Sequence, residues 1–120
     1  MHELPIIKEI LRVSLKYAHE NNADKLHKIV LGVGEIHDLV QEWVLRYFEF
    51  ASNGTLAEGA RIQIIRYPIV CRCIGCGENI LVRLETTESI FCPKCGGSDC
   101  DIISGKELRI ENIVIQCNTK

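Results

Sequence analysis

The chain has little net charge of either sign: 14 Lys and Arg stand against 16 Asp and Glu, a formal charge of −2 over 120 residues. No strong field is available to recruit nucleic acid or an anionic membrane. No apolar run is long enough to span a bilayer. A secretory signal is not expected, because His2, Glu3 and Lys8 interrupt the first apolar stretch. No nucleophile and base stand at a recognisable catalytic spacing, so the chain is not expected to be an enzyme. What it does have is cysteine: seven in all, six of them between Cys71 and Cys100. An odd count without a secretory signal argues against a disulfide framework. In a reducing cytoplasm, the expected location, clustered cysteines more often bind metal.

The length suits one domain, or one domain carrying a small second module. LPIIKEILRVSLKYAHE, from Leu4, has the period of an amphipathic helix. Leu4, Ile7, Leu11, Leu15 and Ala18 form its stripe, widened by Ile6, Ile10, Val13 and Tyr17. Pro5 falls in the first turn, where its missing N–H costs nothing. Asn21 and Asn22 are stop residues. KLHKIVLGVGEI reads as a strand with Ile29, Leu31 and Val33 on one face. Gly32 and Gly34 weaken it but permit close backbone approach. DLVQEWVLRYFEFASNG reads as a second helix, with Asp38 as N-cap, Leu39, Trp43 and Phe50 on its apolar face, and Asn53-Gly54 ending it. ARIQIIRYPIV alternates as a strand until Pro68. ELRIENIVIQ alternates Leu108, Ile110, Ile113 and Ile115 with one phase shift, as at a bulge.

Between these last two strands the composition changes. CRCIGCGENILVRLETTESIFCPKCGGSDC is rich in cysteine and glycine and poor in large apolar residues. Cys73 and Cys76 form one C-x2-C-G turn, Cys92 and Cys95 the other, and fifteen residues separate them. That is zinc-ribbon spacing. Each tight turn brings two thiolates to one side of a metal, and glycine after the second cysteine allows positive φ. Two turns close a tetrahedral shell of four thiolates around Zn(II) with no open position. ENILVRLETTESIF between them reads as a hairpin. Cys71 competes with Cys73 by position, but only Cys73 completes a C-x2-C-G unit with Cys76. Cys71, Cys100 and Cys117 therefore read as spare thiols. The expected architecture is α+β: a small sheet packed by two helices, residues 1–69 and 104–120, with an inserted four-cysteine zinc-ribbon module, residues 70–103.

The start, MHELP, allows two readings. Glu3 suits a helix N-terminus electrostatically, and His2 can be an ordinary solvated residue. Alternatively the terminus is a site. Methionine before a residue as large as histidine is expected to survive N-terminal processing, leaving His2 second. The α-amine of Met1, the amide nitrogens of His2 and Glu3, and the His2 ring can then approach one metal. Flat, nitrogen-rich coordination of this kind suits Ni(II) or Cu(II). The Glu3 carboxylate is either an extra ligand or an orienting group.

MHE, the central GTLAEGARIQI, the paired C-x2-C knuckles and the terminal alternating strand together resemble the HypA/HybF family of nickel metallochaperones, over essentially the whole chain. The resemblance implies Ni(II) as transported cargo at His2, with Met1 and Glu3 adjacent, and structural Zn(II) at Cys73, Cys76, Cys92 and Cys95. It implies transfer to the hydrogenase large subunit together with the GTPase HypB, and in some members service to urease maturation proteins. The knuckle-to-knuckle segment is shorter than in some archaeal-looking relatives, and 77–91 contains no histidine to add a ligand. His19, His27 and His37 match no family ligand and read as solvated or packing residues. A monomer and a homodimer, bridged through termini or swapped modules, both fit. A nucleic-acid-binding ribbon fits poorly, because Arg72, Arg83 and Lys94 are offset by Glu78, Glu85 and Glu88. A zinc-stabilised interaction module with an inert terminus is the remaining rival.

Overall fold

The computed structural model describes residues 3–82 and 92–117. The chain forms two compact units. The first comprises residues 1–31, 39–65 and 109–120; the second comprises residues 32–38 and 66–108.

The first helix, α1, runs Glu3–Glu20. Its buried stripe is Glu3, Ile7, Ile10, Leu11, Ser14 and Ala18. Val13 and Tyr17, expected to widen the stripe, are exposed. The helix stops where two asparagines follow it. Asn22 adopts φ 55°, and its N–H donates to the His19 carbonyl, while Ala23 N–H donates to the Ala18 carbonyl. That bond pair is a Schellman stop, with Ala18 and Ala23 buried as its apolar contact.

The second helix, α2, runs Gln41–Ser52 and packs on α1. It starts later than the sequence suggests. Asp38 is not its N-cap: at φ 49°, ψ 43° it closes a 3-10 turn, Glu35–His37, and its N–H returns to the Glu35 carbonyl. Val40 takes the N-cap position without a capping side chain of its own. The buried face is Val44, Phe48 and Ser52, at four-residue intervals. Trp43 and Phe50 lie on the exposed side, Phe50 at 81% exposure. Trp43 stacks on Tyr47 at 5.8 Å between ring centroids, with the Arg46 guanidinium over it.

Strands β1 (Lys25–Gly34), β2 (Arg61–Tyr67) and β6 (Leu108–Gln116) form one sheet in the order β2-β1-β6. Asp24 N–H meets the Gln116 carbonyl and Gly34 N–H meets the Glu107 carbonyl, so β1 and β6 run antiparallel. The central strand is buried continuously from Ile29 to Gly34, as a strand covered on both faces must be. On β6 the half-buried positions are Ile110, Ile113 and Ile115, the phase shift visible in the sequence.

Pro68 ends β2, and the chain re-enters as β3 (Ile69–Cys73) in a second sheet. Its order is β4-β3-β5, with β4 Asn79–Val82 and β5 Cys100–Ser104, both antiparallel to β3. Strand β4 lies at the start of the segment read as a hairpin and pairs with β3; the rest of that segment, residues 83–91, including Arg83, Glu85 and Glu88, lies outside the described residues. Residues 32–38 join this unit through backbone bonds. Gly34 N–H donates to the Glu107 carbonyl and Ile36 N–H to the Gly105 carbonyl.

The close approach expected at Gly34 is present. A Cβ there would lie 2.0 Å from the Gly105 oxygen and 2.6 Å from Lys106 N, both backbone atoms. Backbone cannot rotate away as a side chain does. Gly34→Ala is therefore expected to destabilise by about 1–3 kcal/mol in urea unfolding, through overpacking. Gly59, at φ 79° with open space around it, should lose only about 1 kcal/mol on substitution by alanine, the left-handed penalty alone. Equal, small losses at both positions would contradict the close packing at Gly34.

Candidate metal centre

Two turns with the same backbone wiring build the cysteine site. Cys73 ends β3; its N–H donates to the Glu78 carbonyl, and Gly77 N–H donates back to the Cys73 carbonyl, each at 2.8 Å. In the second turn Cys92 N–H donates to the Gly97 carbonyl and Gly96 N–H to the Cys92 carbonyl, again at 2.8 Å. Gly77 and Gly96 sit at φ 79° and 75°, the left-handed conformation that the residue after each C-x2-C must adopt. A further bond, Ile74 N–H to the Asp99 carbonyl, ties the first turn to the segment entering β5.

The turns aim four sulfurs inward. The Sγ atoms of Cys73, Cys76, Cys92 and Cys95 all lie within 4.8 Å of one another. Across the two turns, Cys73 Sγ is 3.5 Å from Cys95 Sγ, and Cys76 Sγ is 3.5 Å from Cys92 Sγ. Backbone amides point at the sulfurs in a matching way. Gly97 N–H donates to Cys95 Sγ at 3.4 Å, and the Glu78 amide serves Cys76 in the same relative position. Little room is left beside the sulfurs: a Cβ on Gly97 would lie 3.3 Å from Cys95 Sγ.

Crowding separates the acidities. The backbone amides of Cys95 and Lys94 donate to Cys92 and, against burial, hold its thiol down at about 7. The Glu78 amide pulls Cys76 down, but the Cys92 thiol, burial and the thiols of Cys95 and Cys73 push it up to about 12. Cys95 is also raised: the Gly97 amide lowers it, and the neighbouring sulfurs outweigh that. One thiol ionises readily and each further anion is opposed by the last. A divalent cation among the four sulfurs removes that opposition. The donor set, four thiols on two turns with amide support, fits a closed tetrahedral site for Zn(II).

Cys71, Cys100 and Cys117 are not among these sulfurs. Cys117 Sγ donates instead to the Asn21 carbonyl. Two of the histidines have structural partners: His37 Nε2 donates to the Lys106 carbonyl at 3.0 Å, and His27 Nε2 pairs with Gln116 Oε1 at 2.6 Å.

At the other candidate site, Met1 and His2 lie outside the described residues. Glu3 is described, and it is 4% exposed. Its Oε2 accepts the Val40 N–H at 3.3 Å. A carboxylate from α1 therefore sits at the start of α2, where the helix dipole favours negative charge and an N–H lacks an intrahelical partner. The sequence offered no sign of this contact, because its partners are 37 residues apart.

Comparison with known proteins identifies the family. A family described as hydrogenase/urease nickel incorporation, metallochaperone, hypA matches residues 1–115. The chain belongs to the HypA family. The hydrogenase maturation factor HypA of Dehalococcoides mccartyi is 35% identical over 115 residues, covering 96% of this chain and 94% of that protein. The factor of the same name from Trichormus variabilis is 33% identical over 116 residues, covering 97% and 96%. The solution structure of the Ni metallochaperone HypA from Helicobacter pylori superimposes with a TM-score of 0.64 at 20% identity, covering 98% of this chain and all of that one. A second HypA solution structure gives 0.69 at 20% identity, covering 98% of each chain. The α+β architecture with a cysteine module is thus the HypA fold. The family consists of metallochaperones, not catalysts. Among the described residues, no helix is long and apolar enough to cross a membrane.

The acidities set a pH dependence. Crowding holds Cys76 and Cys95 above the ordinary thiol range, and every ligand must bind as a thiolate. Zn(II) loading at pH 7 is expected to release roughly three to four protons per ion. Thiols regain protons as pH falls, so affinity should drop by about a thousandfold or more per pH unit below 7. Calorimetry in two buffers of different ionisation enthalpy measures the release. A release below about two protons would show that the four thiols do not act as one ligand set.

Proposed function

We propose that this chain carries Ni(II) at its N-terminus and delivers it to the large subunit of nickel–iron hydrogenase, while Zn(II) at Cys73, Cys76, Cys92 and Cys95 holds the cysteine module together. Membership of a family named for hydrogenase and urease nickel incorporation supports this reading. The observation that carries the terminal site is the burial of Glu3 against Val40 N–H. The residue directly after His2 is anchored at the start of two helices.

The cargo's donors would be the α-amine of Met1, the amide nitrogens of His2 and Glu3, and the His2 ring. The first amides of a helix have no intrahelical acceptor, so those at the start of α1 need not break a helix bond to serve. Of the two roles open to the Glu3 carboxylate, its bond to Val40 favours orientation over ligation. An all-nitrogen, planar set suits Ni(II). Its amine and amide protons must leave, so nickel is released as pH falls.

Residues 1–69 and 104–120 form the proposed nickel-binding domain, and residues 70–103 the zinc-ribbon domain. The thiolate shell has no open position, so zinc supplies folding free energy and no reaction chemistry. The partners of this reading are HypB and the hydrogenase large subunit, with urease maturation proteins as a further recipient, in the cytoplasm.

The test is nickel titration of zinc-loaded protein with a native terminus. His2→Ala, and a variant with extra residues before Met1, should each lose most of the nickel affinity. Glu3→Ala should weaken binding about tenfold, and Glu3→Gln, whose carbonyl can still accept from Val40, should restore most of it with an unchanged nickel absorption spectrum. Equal affinity in all four variants would remove the terminal site. A Glu3→Gln spectrum that changes as in Glu3→Ala would make the carboxylate a ligand.

A further inference from the structure

The two cysteine turns are wired alike in backbone, but their side chains differ. Set on their cysteines, residues 73–78 (CIGCGE) match residues 92–97 (CPKCGG). Cys73 N–H reaches the Glu78 carbonyl as Cys92 N–H reaches the Gly97 carbonyl. The sulfurs pair across the turns in the same symmetry, Cys73 with Cys95 and Cys76 with Cys92, each at 3.5 Å. Each pair has one buried member, Cys73 or Cys92, and one exposed member, Cys95 or Cys76. What flanks the pairs is not the same. Beside Cys73 and Cys95 stand Gly75 and Gly97. A Cβ on Gly75 would lie 3.6 Å from Cys95 Sγ and 3.7 Å from Cys73 Sγ. One on Gly97 would lie 3.3 Å and 3.7 Å from the same two sulfurs. Apart from the adjoining residues, no other described heavy atom lies within 4 Å of either position. A side chain there would cover the sulfurs, and neither residue has one. In the equivalent places of the other pair stand Lys94 and Glu78, whose charged ends meet at 3.6 Å. One edge of the cluster is therefore bare, and the other carries an ion pair.

We propose that Cys95 is the site at which a small peroxide oxidises the cluster, and that Cys73 resolves it. The Cys95 thiolate attacks one oxygen of hydrogen peroxide across the edge left open by Gly75 and Gly97. The S–O bond forms, the O–O bond breaks and hydroxide leaves, so Cys95 becomes a sulfenic acid. The Cys73 thiolate, across the turns at 3.5 Å, then attacks that sulfur. The S–S bond forms, the S–O bond breaks and a second hydroxide leaves. Two thiolates lose two electrons, and one peroxide becomes two hydroxide ions. Attack needs access and resolution needs proximity; the exposed and the buried member of this pair divide those needs between them. With two thiolates gone, the four-sulfur donor set is broken. Oxidation thereby undoes the order that metal binding gives the second unit. This inference rests on the four cysteines being the zinc site and is independent of the nickel reading.

Tryptic mapping suits the test. Cuts after Arg72, Arg83 and Lys94 put Cys73 and Cys76 on residues 73–83, Cys92 on 84–94 and Cys95 on 95–106. Zinc-loaded full-length protein receives a limiting amount of hydrogen peroxide, and the remaining thiols are blocked with N-ethylmaleimide in denaturant. The expected product links 73–83 to 95–106, with fragmentation placing the bond between Cys73 and Cys95, and zinc appears in solution in step with it. Dimedone added with the peroxide should label Cys95 first. Gly75→Lys/Gly97→Glu copies the covering of the other edge and should slow zinc release by about tenfold. Glu78→Gly/Lys94→Gly bares that other edge and should add a link from 73–83 to 84–94. The wild-type map decides the matter even if neither variant folds. Zinc content measured beforehand tests the zinc reading by itself; protein without zinc would refute that reading, and the map would still judge Cys95. First labelling of another cysteine, a bond at Cys100, an equal yield of the 73–83 to 84–94 link in wild type, zinc release without a link, or no reaction would each overturn the proposal.

Discussion

Four sulfurs within 4.8 Å of one another cannot all be anions unless a cation lies among them. The second unit depends on that constraint. Its buried hydrophobic side chains, among the described residues, are Val33, Ile69, Cys71, Cys73 and Cys92, so sulfur makes up most of the core. Ile102 and Ile103, which could have enlarged it, are partly exposed. Two apolar side chains cannot offset the entropy of ordering two turns and three strands. Metal binding, at about 10 kcal/mol or more for structural zinc, can. The repeated turn wiring serves this end: each amide spent on a sulfur lowers the cost of placing an anion there before the cation arrives.

The first unit is stabilised in the ordinary way. Ile7, Leu26, Ile29, Leu31, Val44 and Phe48 are nearly inaccessible, and their burial needs no ion. One chain thus combines an apolar core with a metal core. The strands β1, β2 and β6 each run from one unit into the other.

The sequence made some of this legible and hid the rest, for identifiable reasons. The knuckles were readable because their geometry is local: two residues between cysteines and a glycine after them fix the turn. The helices and the β2 break at Pro68 were readable from period and punctuation. The packed face of α2 was not. Trp43 and Phe50 look like core residues by size, yet Val44, Phe48 and Ser52 lie on the buried side. Asp38 looked like a cap, but a positive φ placed it at the end of a 3-10 turn instead. Strand β5, CDIIS, is too short to announce itself. The Glu3 contact joins residues 37 apart, a distance that no local pattern reports.

That contact bears on how one small protein could keep two metals apart. On the proposed reading, zinc and nickel are sorted by donor chemistry and by coordination number. The thiolate cluster is closed: four sulfurs satisfy a tetrahedral ion and leave no position for an acceptor to attack. A metal held there is well placed to organise the chain and badly placed to be handed over. A terminal amine, amides and imidazole make a flat set with open faces, which suits Ni(II) and permits exchange. Such a set is also easily lost to thermal motion, since terminal residues fray. On that reading, burying the Glu3 side chain at the start of α2 answers that cost at the last residue of the donor set, without adding a side-chain ligand that would slow release. A buried side chain at the third residue and open coordination through the terminal nitrogens are then, on the proposed reading, parts of one arrangement. On the proposed reading, the carboxylate's place in the fold, more than its affinity for metal, accounts for a glutamate at that position.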